Sequence, residues 1–178
     1  MNQTLERIRA DHPAGSIERE TSWNGSAFVY GLVCLFRPER VIEVGCSIGT
    51  TSAYIMEALT QIGSGSFIGY EKLPDRAREA EERLHTGYPG GAWSIVQGDF
   101  FRTYDSQTID FAFIDLDPKE HYMRAVDSLV VRPGGVLVLH DLEFAPDPVG
   151  MAAAELKDRG YIVSGFVPER GFAVAIKP

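Results

Sequence analysis

Residues 40–51 read RVIEVGCSIGTT, an apolar strand that leads directly into a glycine-rich turn and then into a helix. Glu43 stands two residues before Gly45, and Gly49 follows that glycine four residues later. Glycine lets the backbone turn sharply and approach a ligand closely. The helix that begins at about Thr50 points its unpaired N–H groups at whatever occupies the turn. This segment therefore predicts a ligand-binding turn after the first strand of an α/β sheet.

Strand-like and helix-like segments alternate from Arg40 to the end of the chain, which is the pattern of βαβ units. The turn at 168–170 is too short for a parallel crossover, so the last two strands must form an antiparallel hairpin. We predict strands at 41–44, 66–70, 93–96, 109–114, 136–139, 161–167 and 171–176, and helices at 24–36, 50–61, 74–84, 120–130 and 149–159. The fold class is α/β, a mostly parallel seven-stranded sheet that closes with an antiparallel hairpin and carries helices on both faces.

The length and composition favour one domain. The chain has 178 residues, of which 44% are apolar, enough for a single well-packed core. We expect residues 1–39 to form a helical cap, residues 40–178 to form the sheet and its helices, and the helix at 24–36 to cover the binding edge of the sheet.

The charge balance excludes several kinds of partner. Lys and Arg number 17 against 25 Asp and Glu, and a net charge of −8 argues against binding to nucleic acid. No apolar run reaches the roughly 20 residues of a membrane span, and the polar first residues do not resemble a signal peptide. We expect a cytoplasmic protein without a membrane partner.

The two cysteines, Cys34 and Cys46, are expected to be free thiols.

The glycine-rich turn differs from that of a dinucleotide-binding protein. Such a site needs G-x-G-x-x-G, with the middle glycine making room for a pyrophosphate. Here Cys46 and Ser47 fill that part of the turn. The Glu43 carboxylate would also repel phosphates and attract a ligand that carries an ammonium group.

The segment VIEVGCSIGTTSAYI resembles the first motif of class I S-adenosylmethionine-dependent methyltransferases, an acidic residue followed by G-x-x-x-G. The resemblance extends from about Arg40 to Pro178. It implies that Glu71, at the end of strand two, holds the ribose hydroxyls and that Asp99, after strand three, reads the adenine amino group. The cofactor-binding residues that we predict on this basis are Glu43, Gly45, Cys46, Ser47, Gly49, Thr50, Glu71, Lys72, Gly98, Asp99, Phe100 and Asp115.

The ends of strands four and five resemble those of cation-dependent O-methyltransferases of the catechol and caffeoyl-CoA type. In that family an Asp after strand four and an Asp-Asn pair after strand five hold a divalent metal, which implies Asp115 and Asp141 as ligands of an ion such as Mg²⁺. Leu142 stands where the family has Asn, so Asp117 or Glu143 would have to supply another oxygen.

Two residues are candidate catalytic bases. In the resembled family a Lys three residues after the first ligand Asp acts as the base, and Lys119, four residues after Asp115, is the nearest match. His140 is the alternative, because imidazole titrates near neutral pH and this residue ends a strand. Either group would take a proton from the acceptor while the fold holds the acceptor against the methyl group.

These features predict a methyltransferase that acts on a small molecule, most readily on an oxygen. One alternative is a module that binds S-adenosylmethionine without catalysis, as a partner or regulatory subunit, and another is an NAD-dependent oxidoreductase. Because the helical cap is brief, the pocket is open. Either a second copy of the chain closes it in a homodimer, or it takes a bulky or carrier-bound acceptor.

Overall fold

The computed structural model describes residues 23–142, 147–166 and 171–178. The strands are β1 (Arg40–Val44), β2 (Ser66–Glu71), β3 (Trp93–Gln97), β4 (Thr108–Ile114), β5 (Val130–His140), β6 (Ile162–Phe166) and β7 (Phe172–Ile176). The helices are α1 (Trp23–Phe36), α2 (Thr50–Ile62), α3 (Pro74–Gly87), α4 (Phe100–Thr103), α5 (Tyr122–Ser128) and α6 (Pro148–Asp158), with a 3₁₀ turn at Lys119–His121. No helix in the described ranges has the length and apolar character needed to cross a membrane.

The strands form one sheet in the order β3-β2-β1-β4-β5-β7-β6. The pairs from β3 through β5 are all parallel, whereas β7 pairs antiparallel with both β5 and β6. This arrangement confirms the predicted fold class, including the closing hairpin. The strand order reverses between β1 and β4, and in sheets of this kind the crevice outside the carboxyl ends at such a point binds ligands.

Alternate residues of the central strands bury opposite faces of the sheet. In β4, Phe111 and Phe113 pack into a core with α1, α2 and α3, whereas Ala112 and Ile114 pack into a core with α5 and α6. The β1 residues Val41 and Ile42 divide in the same way. Because both faces are covered by helices, these strands are apolar at most of their positions and do not alternate apolar and polar residues.

The region between β4 and β5 departs from the prediction. The predicted helix at 120–130 is a 3₁₀ turn followed by α5, and it ends at Ser128, so Val130 is in β5 and not in a helix. The predicted strand 136–139 is the second half of an 11-residue strand. The segment 133–135 stays in this strand because the pairing with β4 shifts register between Ile109 and Phe111, which accommodates the extra residues.

Helix α1 packs beside α2 on one face of the sheet. The Ser26 and Thr51 hydroxyls hydrogen-bond at 3.0 Å, and the Phe28 ring contacts those of Phe166 and Phe172 at 5.2 and 5.1 Å. The prediction that this helix covers the binding edge is wrong for its described residues, because none of them lines the cavity at that edge. The remainder of the predicted cap, residues 1–22, lies outside the described residues.

The turn after β1 approaches the backbone of β4 very closely at Gly45. This residue has a φ of 90°, and a Cβ atom built on it would lie 2.0 Å from the Asp115 carbonyl oxygen. The N–H groups of Gly45 and Cys46 both donate to the Tyr70 carbonyl at 3.0 Å, so the turn is also fixed to β2. Only glycine can occupy this position without moving the main chain.

We expect Gly45→Ala to lower the free energy of unfolding by at least about 2 kcal/mol, because it adds backbone strain and a steric clash. Urea denaturation followed by circular dichroism measures the effect. Gly31→Ala is the matched control. Nothing lies within 4 Å of a Cβ at Gly31 inside α1, and this change should stabilise by roughly 0.5–1 kcal/mol. If Gly45→Ala were as stable as wild type, the close approach of Gly45 to the Asp115 carbonyl would be contradicted.

Candidate active site

A cavity of about 750 Å³ opens at the carboxyl ends of the strands, at the predicted position. Its volume is within the range of roughly 300–1,000 Å³ that small-molecule sites occupy. The lining residues are Gly45, Ser47, Tyr70, Glu71, Lys72, Leu73, Arg76, Gly98, Asp99, Phe100, Phe101, Asp115, Leu116, Asp117, Pro118, Lys119, His121, Arg124 and Asp141. Eight of the residues predicted to bind the cofactor are among them: Gly45, Ser47, Glu71, Lys72, Gly98, Asp99, Phe100 and Asp115.

Glu71 ties the glycine-rich turn to the end of β2. One of its carboxylate oxygens accepts the Ser47 N–H at 2.9 Å and the other accepts the Leu73 N–H at 2.8 Å. The residue is 7% exposed and borders the cavity. Its charge is therefore fixed in place before any ligand arrives.

The N–H groups of this turn are engaged within the protein. Ser47 donates to Glu71, Cys46 donates to the Tyr70 carbonyl, and Gly49 donates to the Cys46 carbonyl at 2.8 Å. A pyrophosphate would need such groups to point at it. The arrangement argues against the dinucleotide alternative.

Four of the predicted cofactor residues do not line the cavity: Glu43, Cys46, Gly49 and Thr50. Glu43 is 1% exposed and accepts the Ser52 hydroxyl at 2.5 Å. The Thr50 hydroxyl accepts from Arg83 at 3.2 Å. Burial raises the pKa of the Cys46 thiol well above its ordinary value, and the Glu43 and Glu71 carboxylates add to the shift. Cys46 is consequently a protonated, unreactive thiol.

Asp99 lies at the β3 edge of the cavity and also caps a helix. Its side chain accepts the Phe101 N–H at 3.1 Å, at the start of α4, which was not predicted from the sequence. The Gly98 N–H donates to the Glu71 carbonyl at 2.8 Å, so the ends of β2 and β3 are joined.

Asp115, His140 and Asp141 come together on the other side of the cavity. His140 Nδ1 lies 3.2 Å from Asp115 Oδ2 and 3.5 Å from Asp141 Oδ1. One ligand-type atom from each residue lies within 4.8 Å of the other two. In a strand, successive side chains point to opposite faces of the sheet. Asp141 has a φ of 62°, in the left-handed region, so it leaves the strand conformation and its side chain lies on the same side as that of His140.

Lys119, the other residue predicted as a base, borders the cluster of Asp115, His140 and Asp141. Its Nζ lies 3.6 Å from Asp141 Oδ2, and 32% of its side chain is exposed. Asp117 also lines the cavity. Leu142 instead packs against the core on the α5 and α6 face, near Gly150 and Gly165, so its side chain contributes no ligand atom. Glu143 lies outside the described residues.

The sequence reasoning missed several aromatic and basic groups around the cavity. The Arg124 guanidinium lies 3.9 Å from the centre of the Phe101 ring, and His121 meets the edge of that ring at 5.5 Å. Tyr122 is buried behind them and accepts the Leu116 N–H at 3.3 Å. Burial raises its pKa well above the ordinary value, as does the Asp115 carboxylate. Among these residues only His121 and Arg124, three positions apart, have a helical spacing, and such a spacing in a sequence indicates only a packed face.

Residues 42–142 match a family described as "Methyltransferase domain". The comparison with curated protein sequences gives no match.

Solved structures share the fold at low sequence identity. An O-methyltransferase from Bacillus cereus in complex with SAH has a TM-score of 0.74 and 18% identity, covering 100% of this chain and 92% of that one. The O-methyltransferase TomG from Streptomyces achromogenes, involved in tomaymycin synthesis and complexed with SAM, has a TM-score of 0.75 and 18% identity, covering 99% of this chain and 90% of that one. A putative caffeoyl-CoA O-methyltransferase from Staphylococcus aureus has a TM-score of 0.75 and 16% identity, covering 99% of this chain and 93% of that one. The likeness confirms the fold class.

Tyr70, at the inner end of the cavity, allows a test of its packing by pH. Burial raises its pKa to about 12, and the Asp105 carboxylate adds to the shift. The unfolded phenol ionises near pH 10, so unfolding releases a proton between these values and stability falls as pH rises from about 10 to 12. We expect Tyr70→Phe to remove roughly 1 kcal/mol of this loss at pH 11, measured by urea denaturation at pH 8 and 11. If wild type and Tyr70→Phe lost the same free energy of unfolding between pH 8 and 11, the Tyr70 phenol would not be buried as described.

Proposed function

We propose that this chain, which belongs to the methyltransferase domain family, transfers a methyl group from S-adenosylmethionine to an oxygen of a small acceptor. One observation carries the proposal. A single cavity is bordered on one side by the glycine-rich turn with Glu71 and Asp99, and on the other by Asp115, Lys119 and Asp141. Cofactor and acceptor would therefore meet inside one cavity.

The residues on the first side suit S-adenosylmethionine. This molecule supplies a methyl group activated by a sulfonium sulfur, and it carries an ammonium group as well. Fixed carboxylates such as Glu71 and Asp99 attract these positive charges and can accept from hydroxyl and amino groups. At Gly45 the missing side chain keeps the main chain of the turn open to a close approach.

The residues on the second side suit a divalent cation. Asp115 and Asp141 supply carboxylate oxygens, the donors that hard ions such as Mg²⁺ prefer, and Asp117 borders the same volume. An ion there would bind a hydroxyl oxygen of the acceptor and lower its pKa. Acceptors with two adjacent hydroxyls fit this arrangement best.

Lys119 is the base that we favour. It lines the cavity, whereas His140 is 2% exposed and lies behind Asp115 and Asp141. The Asp141 carboxylate can hold either the Lys119 ammonium or a cation, so the two compete for it. In the reaction the acceptor hydroxyl gives its proton to Lys119 in its unprotonated amine form, the oxygen forms a bond to the methyl carbon, and the carbon–sulfur bond breaks to leave S-adenosylhomocysteine.

The acceptor class follows from the shape of the cavity. Helix α1 does not line it within the described residues, which favours a bulky or carrier-bound acceptor or closure by a second copy of the chain. Lys72, Arg76 and Arg124 at the border would attract an acceptor that carries an anionic group.

Glu71→Gln should weaken binding of S-adenosylmethionine roughly ten- to a hundred-fold, because a charged hydrogen-bond acceptor becomes neutral. Isothermal titration calorimetry measures this. Glu82→Gln, on the exposed face of α3, is the control and should bind like wild type. Equal affinities in the two variants would remove Glu71 from the cofactor site.

Asp115→Asn and Asp141→Asn should each lower divalent-dependent kcat/KM by at least about a hundred-fold, because the ion contributes several kcal/mol of charge stabilisation. Mass spectrometry of S-adenosylhomocysteine and of the methyl ether, with a catechol acceptor after EDTA treatment and return of the ion, measures the rate. Asp75→Asn is the control, since that side chain is 89% exposed. Full activity in EDTA would contradict the metal. Cofactor binding without methylation of any acceptor would instead support the non-catalytic module.

A further inference from the structure

We propose that His140 is the third protein ligand of the divalent site, and that the site therefore selects a transition-metal ion over Mg²⁺. The inference rests on the ion that the proposed function places at Asp115 and Asp141. It gives His140 the role of a ligand in place of a base. His140 would also supply the third donor atom of the metal site, which Leu142 cannot provide.

The positions of the three donor atoms fit one ion. His140 Nδ1 is 3.2 Å from Asp115 Oδ2 and 3.5 Å from Asp141 Oδ1. Ligands about 2.1–2.3 Å from an octahedral ion stand roughly 3.0–3.3 Å apart when they are adjacent. The two separations from His140 Nδ1 come close to this range, and all three donor atoms lie within 4.8 Å of one another. Asp115, His140 and Asp141 would together hold the ion.

The buried nitrogen needs a partner that the described residues do not give it. His140 Nδ1 is buried, and although two carboxylates are within ion-pair distance, no hydrogen bond with acceptable geometry forms to it in the described ranges. A proton on Nδ1 would make no acceptable hydrogen bond to either oxygen, and a lone pair there would be repelled by them. A cation shared with Asp115 and Asp141 would supply the partner that the nitrogen lacks.

The fold holds the ring in this orientation. His140 is the last residue of β5, and its ring packs on Phe172 at 4.9 Å and near Phe113 at 5.9 Å. These apolar contacts limit rotation of the ring. The left-handed backbone at Asp141 brings the next carboxylate to the same side as the imidazole. The donor set is thus positioned by packing and backbone in advance.

The donor set determines the choice of ion. Mg²⁺ strongly prefers oxygen ligands, whereas an imidazole nitrogen suits Mn²⁺, Fe²⁺ and Co²⁺ progressively better. A site with two carboxylates and one imidazole should therefore bind Co²⁺ and Mn²⁺ more tightly than Mg²⁺. His140→Asn exchanges the nitrogen for an amide oxygen of similar position and should reduce this preference.

The test uses the EDTA-treated full chain with S-adenosylhomocysteine, which binds without reacting. Calorimetry gives the affinities for Mg²⁺, Mn²⁺ and Co²⁺, and pulsed electron paramagnetic resonance of the Mn²⁺-loaded protein detects a directly bonded ¹⁴N nucleus. His140→Asn is compared with His121→Asn, which removes a histidine that lines the same cavity outside the cluster. We expect ¹⁴N coupling in wild type and in His121→Asn, its loss in His140→Asn, and a Co²⁺-to-Mg²⁺ affinity ratio that falls at least about ten-fold in His140→Asn alone.

The wild-type spectrum decides the matter even if His140→Asn does not fold. Mn²⁺ bound without nitrogen coupling would overturn the inference and leave an all-oxygen site. Binding of S-adenosylhomocysteine with no binding of any ion would overturn both the inference and the metal in the proposed reaction. Nitrogen-coupled Mn²⁺ in a protein that binds no S-adenosylhomocysteine would support the inference while the proposed methyl transfer fails.

Discussion

The contact between the β1 turn and the end of β4 is the constraint on which the site depends. At Gly45 the turn lies so close to the Asp115 carbonyl that no side chain fits between them, and the Asp115 N–H donates to the Val44 carbonyl at 2.9 Å. This contact brings the side of the cavity formed by the glycine-rich turn next to Asp115, His140 and Asp141. Glu71 extends the same arrangement to β2 through its two backbone hydrogen bonds.

The fold was predictable because its strongest signals are local. Apolar strands, the turn at Gly45 and the short connection before β7 each leave a clear pattern in sequence. The extension of β5 back to Val130 was not predictable, because it depends on a register shift against β4 that a single sequence does not reveal. Helix α4 was missed because its four residues are too few to show a helical period.

Most of the residues predicted for the site line one cavity, whereas their roles stay predictions. Asp115 and Asp141 were expected to meet because both follow parallel strands. His140 was expected to act as a base because imidazole titrates near neutral pH and the residue ends a strand. Its closeness to Asp141 was not expected, because adjacent residues of a strand normally point to opposite faces and the left-handed backbone at Asp141 is what brings the two side chains together. Glu43 belongs to the sequence motif but faces Ser52 in the interior. Part of a cofactor motif is thus scaffold, and matching it does not by itself demonstrate chemistry.

The left-handed backbone at Asp141 also limits how this position can evolve. Among residue types, Gly, Asn and Asp adopt this conformation at the least cost. A lineage that no longer needs the carboxylate can replace it by Asn or Gly and keep the end of β5 intact, whereas most other replacements would strain the chain. Loss of the charged group and loss of the fold are therefore separable at this residue, so a single substitution could remove the proposed metal site and leave the rest of the cavity unchanged.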